Sequence, residues 1–577
     1  MSIFQKKRGQ TLSTRLSRFS RKAGVLSERH LKENFLSRLS HVSDVRLFVL
    51  EWGLLVFTLF MLALTQTFWY SESFSTSTFT TGGTYTEATL GKVNSLNPLF
   101  ASTNTEEALA KLLFSSLTSV DTSGKIGNEL AKSVRSDGAG KIWTVMLRDN
   151  LKWSDGEPLT NADVIFTVNL LKDSSVISNF SSNLSGVSVE EASDNSLVFT
   201  LKSSYADFDS ALDFPILPKH ILESVEPSRL LESNFSTEPV SSGPFAYTAT
   251  QNLGIDGEAI VYLSANKYYY KKSPKLNSFV IHAYPTLEEI KLAIGSGNIS
   301  ATAELLPTDA KDVSSNFIYE KQTAINSGAY AFLNLKSNIL NNKDLRKAIQ
   351  KGIDLTELRS LVGDELALDY PILKTQIELS EWPSLPERNL DEAREIIKNA
   401  NLGDATLNLV TISTGYFPTL AEDFAAQLED LGFKVNKTIF DPGQDFIVNV
   451  IAPRNYDILL YEVELGATPD LLAYYHSSQA TQSGLNLSNY NNPLVDDLIL
   501  GARESGNDDL RENKYISFLR HWIDDVPAIG LYQINMSYYF NKNVKTFSEE
   551  NTLVSPTDRF SDVKYWAVEK TTKNRTP

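Results

Sequence analysis

Residues 151–168 read LKWSDGEPLTNADVIFTV. Three carboxylates, Asp155, Glu157 and Asp163, are crowded here beside a DG turn and a proline. Either they form a catalytic cluster or they join one structural element to the next. Turn chemistry accounts for the first two, because Asp and Gly tolerate positive φ and a proline such as Pro158 holds φ near about −65°. Thr160 followed three residues later by Asp163 is a capping-box variant that satisfies free amides at the start of a helix over 162–171. Upstream, KIWTVMLRDNLKW (141–153) alternates and predicts a strand. The stretch is a strand–turn–helix junction, and its acids have structural work.

The same grammar continues along the chain. GGTYTEATLGKVNSLNPLF (82–100) opens as a strand and breaks at Asn97-Pro98, and EEALAKLLFSSL (106–117) has apolar residues at helical spacing. Strands are predicted over 194–202, 260–266 and 277–284, and helices over 216–222 and 286–294. From Tyr330 the pattern restarts with a strand and two helices. A strand–helix–strand unit follows in LNLVTIST, FPTLAEDFAAQLEDLG and FKVNKTIF. Strands separated by helices predict α/β lobes rather than a bundle or a sandwich.

The chain has 577 residues, which predicts two or three domains, and 42% of them are apolar. There is no cysteine, which removes disulfides, thiolate chemistry, cysteine-held metals and thioether lipidation. Eleven Lys/Arg against three acids give +8 through Arg46, leaving −24 for the remainder of the −16 total. A basic head on an acidic body is a membrane pattern, not a nucleic-acid one. Residues 47–70, from Leu47 to Tyr70, read LFVLEWGLLVFTLFMLALTQTFWY with one charge, Glu51. That is long enough to cross a bilayer, and the positive-inside rule places residues 1–46 in the cytoplasm and the body outside. Trp52, Phe68, Trp69 and Tyr70 fit interfacial positions; a cleaved signal peptide is the competing reading. SESFSTSTFTT (71–81) has no period and is expected to be a flexible tether.

At this point the order of segments resembles that of the extracellular solute-binding proteins of the peptide and nickel importer class, family 5. KWSDGEPLTNADVIFTV is similar to the family's tryptophan strand, DG turn and helix. SSGPFAYTAT with LSANKYYYKKSPKLNSFVIHAYP, AYAFLNLKSNILNNKDLRKAIQKGID, and the closing series NYDILLY, YYHSS, NLSNYNNPLVDDLI and DDVPAIGLYQ follow in the family's order. The resemblance covers roughly residues 82–547. It implies an α/β, two-lobed, periplasmic-binding-protein-like fold (type II, cluster C-like) with an inserted subdomain, here preceded by one transmembrane helix. Lobe I would comprise 82–115, 240–325 and 530–577, the inserted subdomain 116–239, and lobe II 326–529. The implied function is capture of oligopeptides between the lobes and delivery to a permease with its ATPase, with no cofactor, no metal and no nucleic acid.

Peptide binders of this family carry an aromatic–acid segment after the YD strand, whose carboxylate pairs with the ligand's amine. Here Val463 stands where the tryptophan belongs and Gly466 where the acid belongs. Glu462 and Glu464 share a strand face; one of them replaces the missing carboxylate or both are solvated, and Asp470 opens the next segment. The candidate ligand contacts are Asn94, Leu96, Phe180, Tyr461, Glu462, Glu464 and Asp470, each with a plain packing or turn role as its alternative. NKYYYKK (266–272) is expected to be a surface connection. His220, His282, His476 and His521 stand isolated in the body, and no HExxH, GxSxG or Walker glycine loop is present, so an enzyme is not expected. A surface sensor or adhesion protein, or a binder of a nickel chelate or sugar, remains the alternative.

Overall fold

The computed structural model describes residues 46–73, 76–181, 184, 186–254, 257–310, 318–363, 366–441, 446–482 and 484–572. The basic head, residues 1–45, and the side chains of Phe68, Trp69 and Tyr70 lie outside the described residues. Two units are present, one holding the N-terminal helix and the other spanning Phe79–Glu569. The helix Arg46–Ser73 is long and apolar enough to cross a membrane over Leu50–Thr67, and none of that window is buried against protein. Phe48, Trp52, Leu54 and Phe57 all face outward. Residues 71–81, expected to be without regular structure, contain the end of this helix and the strand Thr76–Phe79. The β-branched Thr78 suits an extended backbone.

The opening junction folds as its chemistry predicts. Trp153 and Glu157 close the turn, with the Trp153 N–H donating to the Glu157 carbonyl at 2.9 Å and Gly156 at φ 102°. Asp155 accepts the Glu157 N–H at 3.0 Å and lies 2.9 Å from His220. Asp163 accepts the Thr160 N–H at 2.8 Å and the Lys219 N–H at 2.9 Å, starting the helix Asn161–Lys172. Asp163 therefore ties two elements while buried. Asp163→Ala is expected to destabilise the body by about 1–3 kcal/mol, since two partly buried amides lose their acceptor. Thr160→Ala should cost at most about 1 kcal/mol, and thermal denaturation of both variants checks the order.

The helix Asn104–Leu113 ends earlier than its apolar spacing predicts. The Ser242 and Gly243 amides take the Leu113 carbonyl at 3.0 and 2.7 Å. A Cβ at Gly243 would stand 2.6 Å from the Leu113 carbonyl carbon, so only glycine allows this approach.

An eleven-stranded sheet runs through the body. From one edge it takes Lys434–Phe440, Thr406–Ile412, Ile458–Glu464, Ile318–Leu333 and Ala528–Asn541, and Leu366–Ala367 also pairs with the last of these. It continues with Ala301–Thr302, Thr84–Leu90, Ser278–Tyr284, Ala259–Ala265 and Phe245–Asn252. Thr406–Ile412 and Lys434–Phe440 are parallel, and the helix Phe417–Leu431 makes the crossover that the sequence pattern predicts. A smaller sheet, ordered Ala131–Ser136, Ile142–Leu147, Leu197–Thr200, Ser188–Glu191, lies within the 116–239 segment.

Two large cores flank the middle of the long sheet. One is built from residues between Ala329 and Tyr532, including Tyr330, Phe424 and Trp522. The other joins Tyr85, Phe279 and Trp566 to Trp153 and Phe199 of the 116–239 segment. Ile318–Leu333 and Ala528–Asn541 pair along their length and pass from one core to the other. Their register breaks between Ala324 and Gly328 and again between Ala329 and Tyr330, where the strands pass from one core to the other. Such breaks let a paired ribbon bend without tearing its ladder.

Candidate functional site

A cavity of about 480 Å³ lies where segments from the two cores face one another. One wall is the helix Asn104–Leu113 with residues 554–558. A second is the 116–239 segment, with Phe180, Tyr205 and Asp213. The third is the end of the strand Ile458–Glu464 and the loop after it, with Glu464, Gly466, Asp470 and Tyr474.

Charge on these walls is strongly unbalanced. Glu107, Asp213, Glu464, Asp470 and Asp558 face a single lysine, Lys111, among the described lining residues. Lys111 stands 3.8 Å from Asp213 and 3.5 Å from Asp558, and these carboxylates hold its ammonium above the usual range against the opposing effect of burial. Asp470 pairs with Arg503 at 3.1 Å and accepts the Tyr205 hydroxyl at 3.3 Å. Among the described residues Glu107 and Glu464 have no cationic partner. Burial, followed by the charges of Glu464 and Glu106, pushes Glu107 up to about 7. Burial and then the charge of Asp558 raise Glu464. The two acids come from opposite cores and repel across the gap.

A second cavity of about 300 Å³ shares Glu107, Glu464 and Thr557 with the first, so these residues stand at the neck between them. It adds Glu304 and Glu462, each pushed up to about 7 chiefly by burial, and apolar groups such as Ile534 and Met536. The cation in its wall, Arg559, is bonded to Glu87 at 2.6 Å. Among the described residues, the connected space can accept a positively charged group and offers no cation free to receive an anionic one.

Phe180, Glu464 and Asp470 of the sequence candidates line the main cavity, and Glu462 lines the second. Glu462 and Glu464 lie on one strand face, as alternation requires. Asn94, Leu96 and Tyr461 line neither of these two cavities. Glu106 folds back to accept the Asn94, Ser95 and Ser102 amides at 2.7, 3.2 and 2.9 Å, which turns the loop inward and buries Leu96. Tyr461 packs on Phe446 with ring centroids 5.8 Å apart. Asp470 is engaged by Arg503 rather than standing free. Glu107, Lys111, Tyr205, Asp213 and Asp558 escape a reading of the sequence: their partners lie in segments remote in the chain, and no local spacing signals them. Gly466, at the position of the expected acid, borders the cavity with φ 72°, a conformation that favours glycine.

Residues 125–484 match the family described as bacterial extracellular solute-binding proteins, family 5, middle. The oligopeptide-binding protein AppA of Bacillus subtilis is 25% identical over 499 residues, covering 81% of this chain and 89% of its own. The structure of that protein with a nonapeptide has a TM-score of 0.71 at 24% identity, covering 85% of this chain and 100% of its own. NikZ from Campylobacter jejuni in complex with Ni(L-His) has a TM-score of 0.72 at 21% identity, covering 84% and 99%. These structures share the two-lobed α/β fold with this chain.

Proposed function

The chain belongs to the bacterial extracellular solute-binding proteins of family 5, and from that premise we propose that its body encloses an oligopeptide between two lobes. The peptide is released intact to a permease whose ATPase partner does the work. Its free ammonium sits at the neck between the cavities, facing Glu107 and Glu464. The observation that carries this reading is the pair of carboxylates from opposite cores without a cationic partner among the described residues, whose mutual repulsion a bound cation relieves. The Arg46–Ser73 helix holds the body at the membrane, with the basic head in the cytoplasm.

Native mass spectrometry of the full chain released from detergent tests the ligand. A heterogeneous set of short peptides is the expected co-purifying material. A metal chelate or a saccharide would overturn the peptide assignment.

The raised carboxyls set a pH dependence. Glu107, at about 7 in the empty protein, is largely protonated near pH 6 and must lose its proton to attract an ammonium. The α-amine stays charged until about pH 8. Affinity for a free-amine peptide is therefore expected to rise about five- to tenfold from about pH 6 to about pH 7.5. Stability of the empty protein runs the other way. Carboxyls raised on folding favour the fold below their unfolded value, and this contribution is lost as pH rises through about 7. Calorimetric titrations at the two pH values, repeated with Glu107→Gln, check both; the variant should flatten the affinity profile.

A further inference from the structure

Three consecutive residues of the 116–239 segment each grip the opposite core. The Tyr205 ring lies under the Arg503 guanidinium at 3.9 Å, and its hydroxyl donates to Asp470 at 3.3 Å. The Ala206 N–H donates to the Arg503 carbonyl at 2.8 Å. Asp207 pairs with Arg511 at 2.8 Å. The partners sit on the helices Pro493–Glu504 and Asp508–Asp525 and on the loop that follows the strand Ile458–Glu464.

On its own side the tripeptide is firmly seated. The Tyr205 N–H donates to the Gly140 carbonyl at 2.9 Å, where Gly140 takes φ 69° and a Cβ would come within 3.3 Å of the Tyr205 backbone. Tyr205 also belongs to the apolar core of that side, while Tyr515 and Phe518, on the Arg511 helix, belong to the other core. Only Tyr205 and Asp470 of this group touch the main cavity; Asp207, Arg503 and Arg511 lie outside its lining.

We propose that Tyr205, Asp207, Asp470, Arg503 and Arg511 form a clasp that holds the two lobes shut beside the ligand space, acting as positioning residues that set how long a ligand is retained. Asp470 is thereby assigned to the clasp and not to the ligand's charge. The aromatic–guanidinium contact and the half-buried ion pairs bear on closure because they connect the two cores directly. A contact present only when the lobes meet should act mainly on dissociation, since the encounter with ligand takes place while the clasp is open. The retention part of this inference rests on the solute-binding reading above; the closure part does not.

The absence of cysteine allows a clean distance measurement in the full chain. Ile177→Cys and Leu494→Cys place spin labels at positions 86% and 63% exposed, one on each side of the clasp. Without ligand, adding Arg503→Ala and Arg511→Ala is expected to shift the distance distribution toward longer, open separations. With a bound peptide, the same pair should raise the dissociation rate about tenfold or more and change the association rate less than about threefold. The charge swap Asp207→Arg with Arg511→Asp should recover most of the loss caused by Asp207→Arg alone, a rescue that mere damage to the fold would not show. An unchanged distance distribution in the Arg503/Arg511 variant overturns the clasp, as does a swap that leaves the defect unrepaired. If the wild type retains no peptide, the function proposed above fails while the distances still decide closure.

Discussion

Glu464→Gln is expected to weaken binding of a peptide with a free amino terminus by about thirtyfold or more, corresponding to about 2–3 kcal/mol for removing a charge-assisted hydrogen bond from a side chain that is exposed in the empty protein and covered by the ligand. Glutamine keeps the shape and the hydrogen-bonding reach of the side chain and removes only the charge. The ammonium then faces Glu107 across the neck without its second carboxylate. An N-acetylated peptide, which has no ammonium, should be little affected by the same substitution, so the two ligands and two proteins form a cycle that isolates the charge pair. The empty variant supplies a separate readout. The charge of Glu464 contributes to raising Glu107, so the Glu107 midpoint should fall below about 7 when residue 464 is neutral. Glu462→Gln should have the smaller effect, because Glu462 lines only the second cavity. Equal affinity for the free-amine peptide in wild type, Glu464→Gln and Glu462→Gln would remove the replacement-carboxylate idea.

Arg559→Met should destabilise the body by about 3–5 kcal/mol, the cost of leaving a buried carboxylate without its cation. Glu87 is wholly buried on the strand Thr84–Leu90 and takes the Arg559 guanidinium through two bonds, of 2.6 and 3.1 Å. Tyr538, on the strand Ala528–Asn541, donates to the same carboxylate at 2.6 Å, and its hydroxyl also meets that of Tyr85. Arg559 further lies over the Phe560 ring at 4.1 Å. One ion pair thus joins the strand Thr84–Leu90 to the C-terminal turn of the body. The double variant Glu87→Gln, Arg559→Met should regain most of the stability, because no unpaired charge is then buried. Thermal denaturation of the single and double variants measures the recovery. A single variant as stable as wild type would show that water reaches Glu87.

Much of the architecture is legible one segment at a time. Asp155 and Asp163 can be assigned to a turn and a helix start because one partner of each, the Glu157 and Thr160 amides, lies within three residues, whereas their contacts with His220 and Lys219 appear only in the fold. The α/β alternation at 406–440 is equally plain, since a buried strand and an amphipathic helix carry different periods. The long strand Ile318–Leu333 is legible only from Tyr330 onward, because its first half holds polar residues such as Glu320, Lys321 and Gln322 that show no apolar face. Within the site, Glu464 stands out through the place it occupies after the YD strand. Glu107 resembles an ordinary first-turn acid, and nothing in the sequence shows Glu106 folding back onto the loop of Asn94 and Leu96.

By itself the sequence determined the basic head, the apolar span, the acidic α/β body and the junction at 151–168, since composition, hydrophobic period and capping are local properties of the chain. Only the tertiary structure decided which carboxylates are matched and which are not. Lys111 meets Asp213 and Asp558, Asp470 meets Arg503, and Glu107 is left facing Glu464. The reason is physical: a charge's free energy depends on its burial and on neighbours within a few ångströms, and here those neighbours come from stretches tens to hundreds of residues apart in the chain.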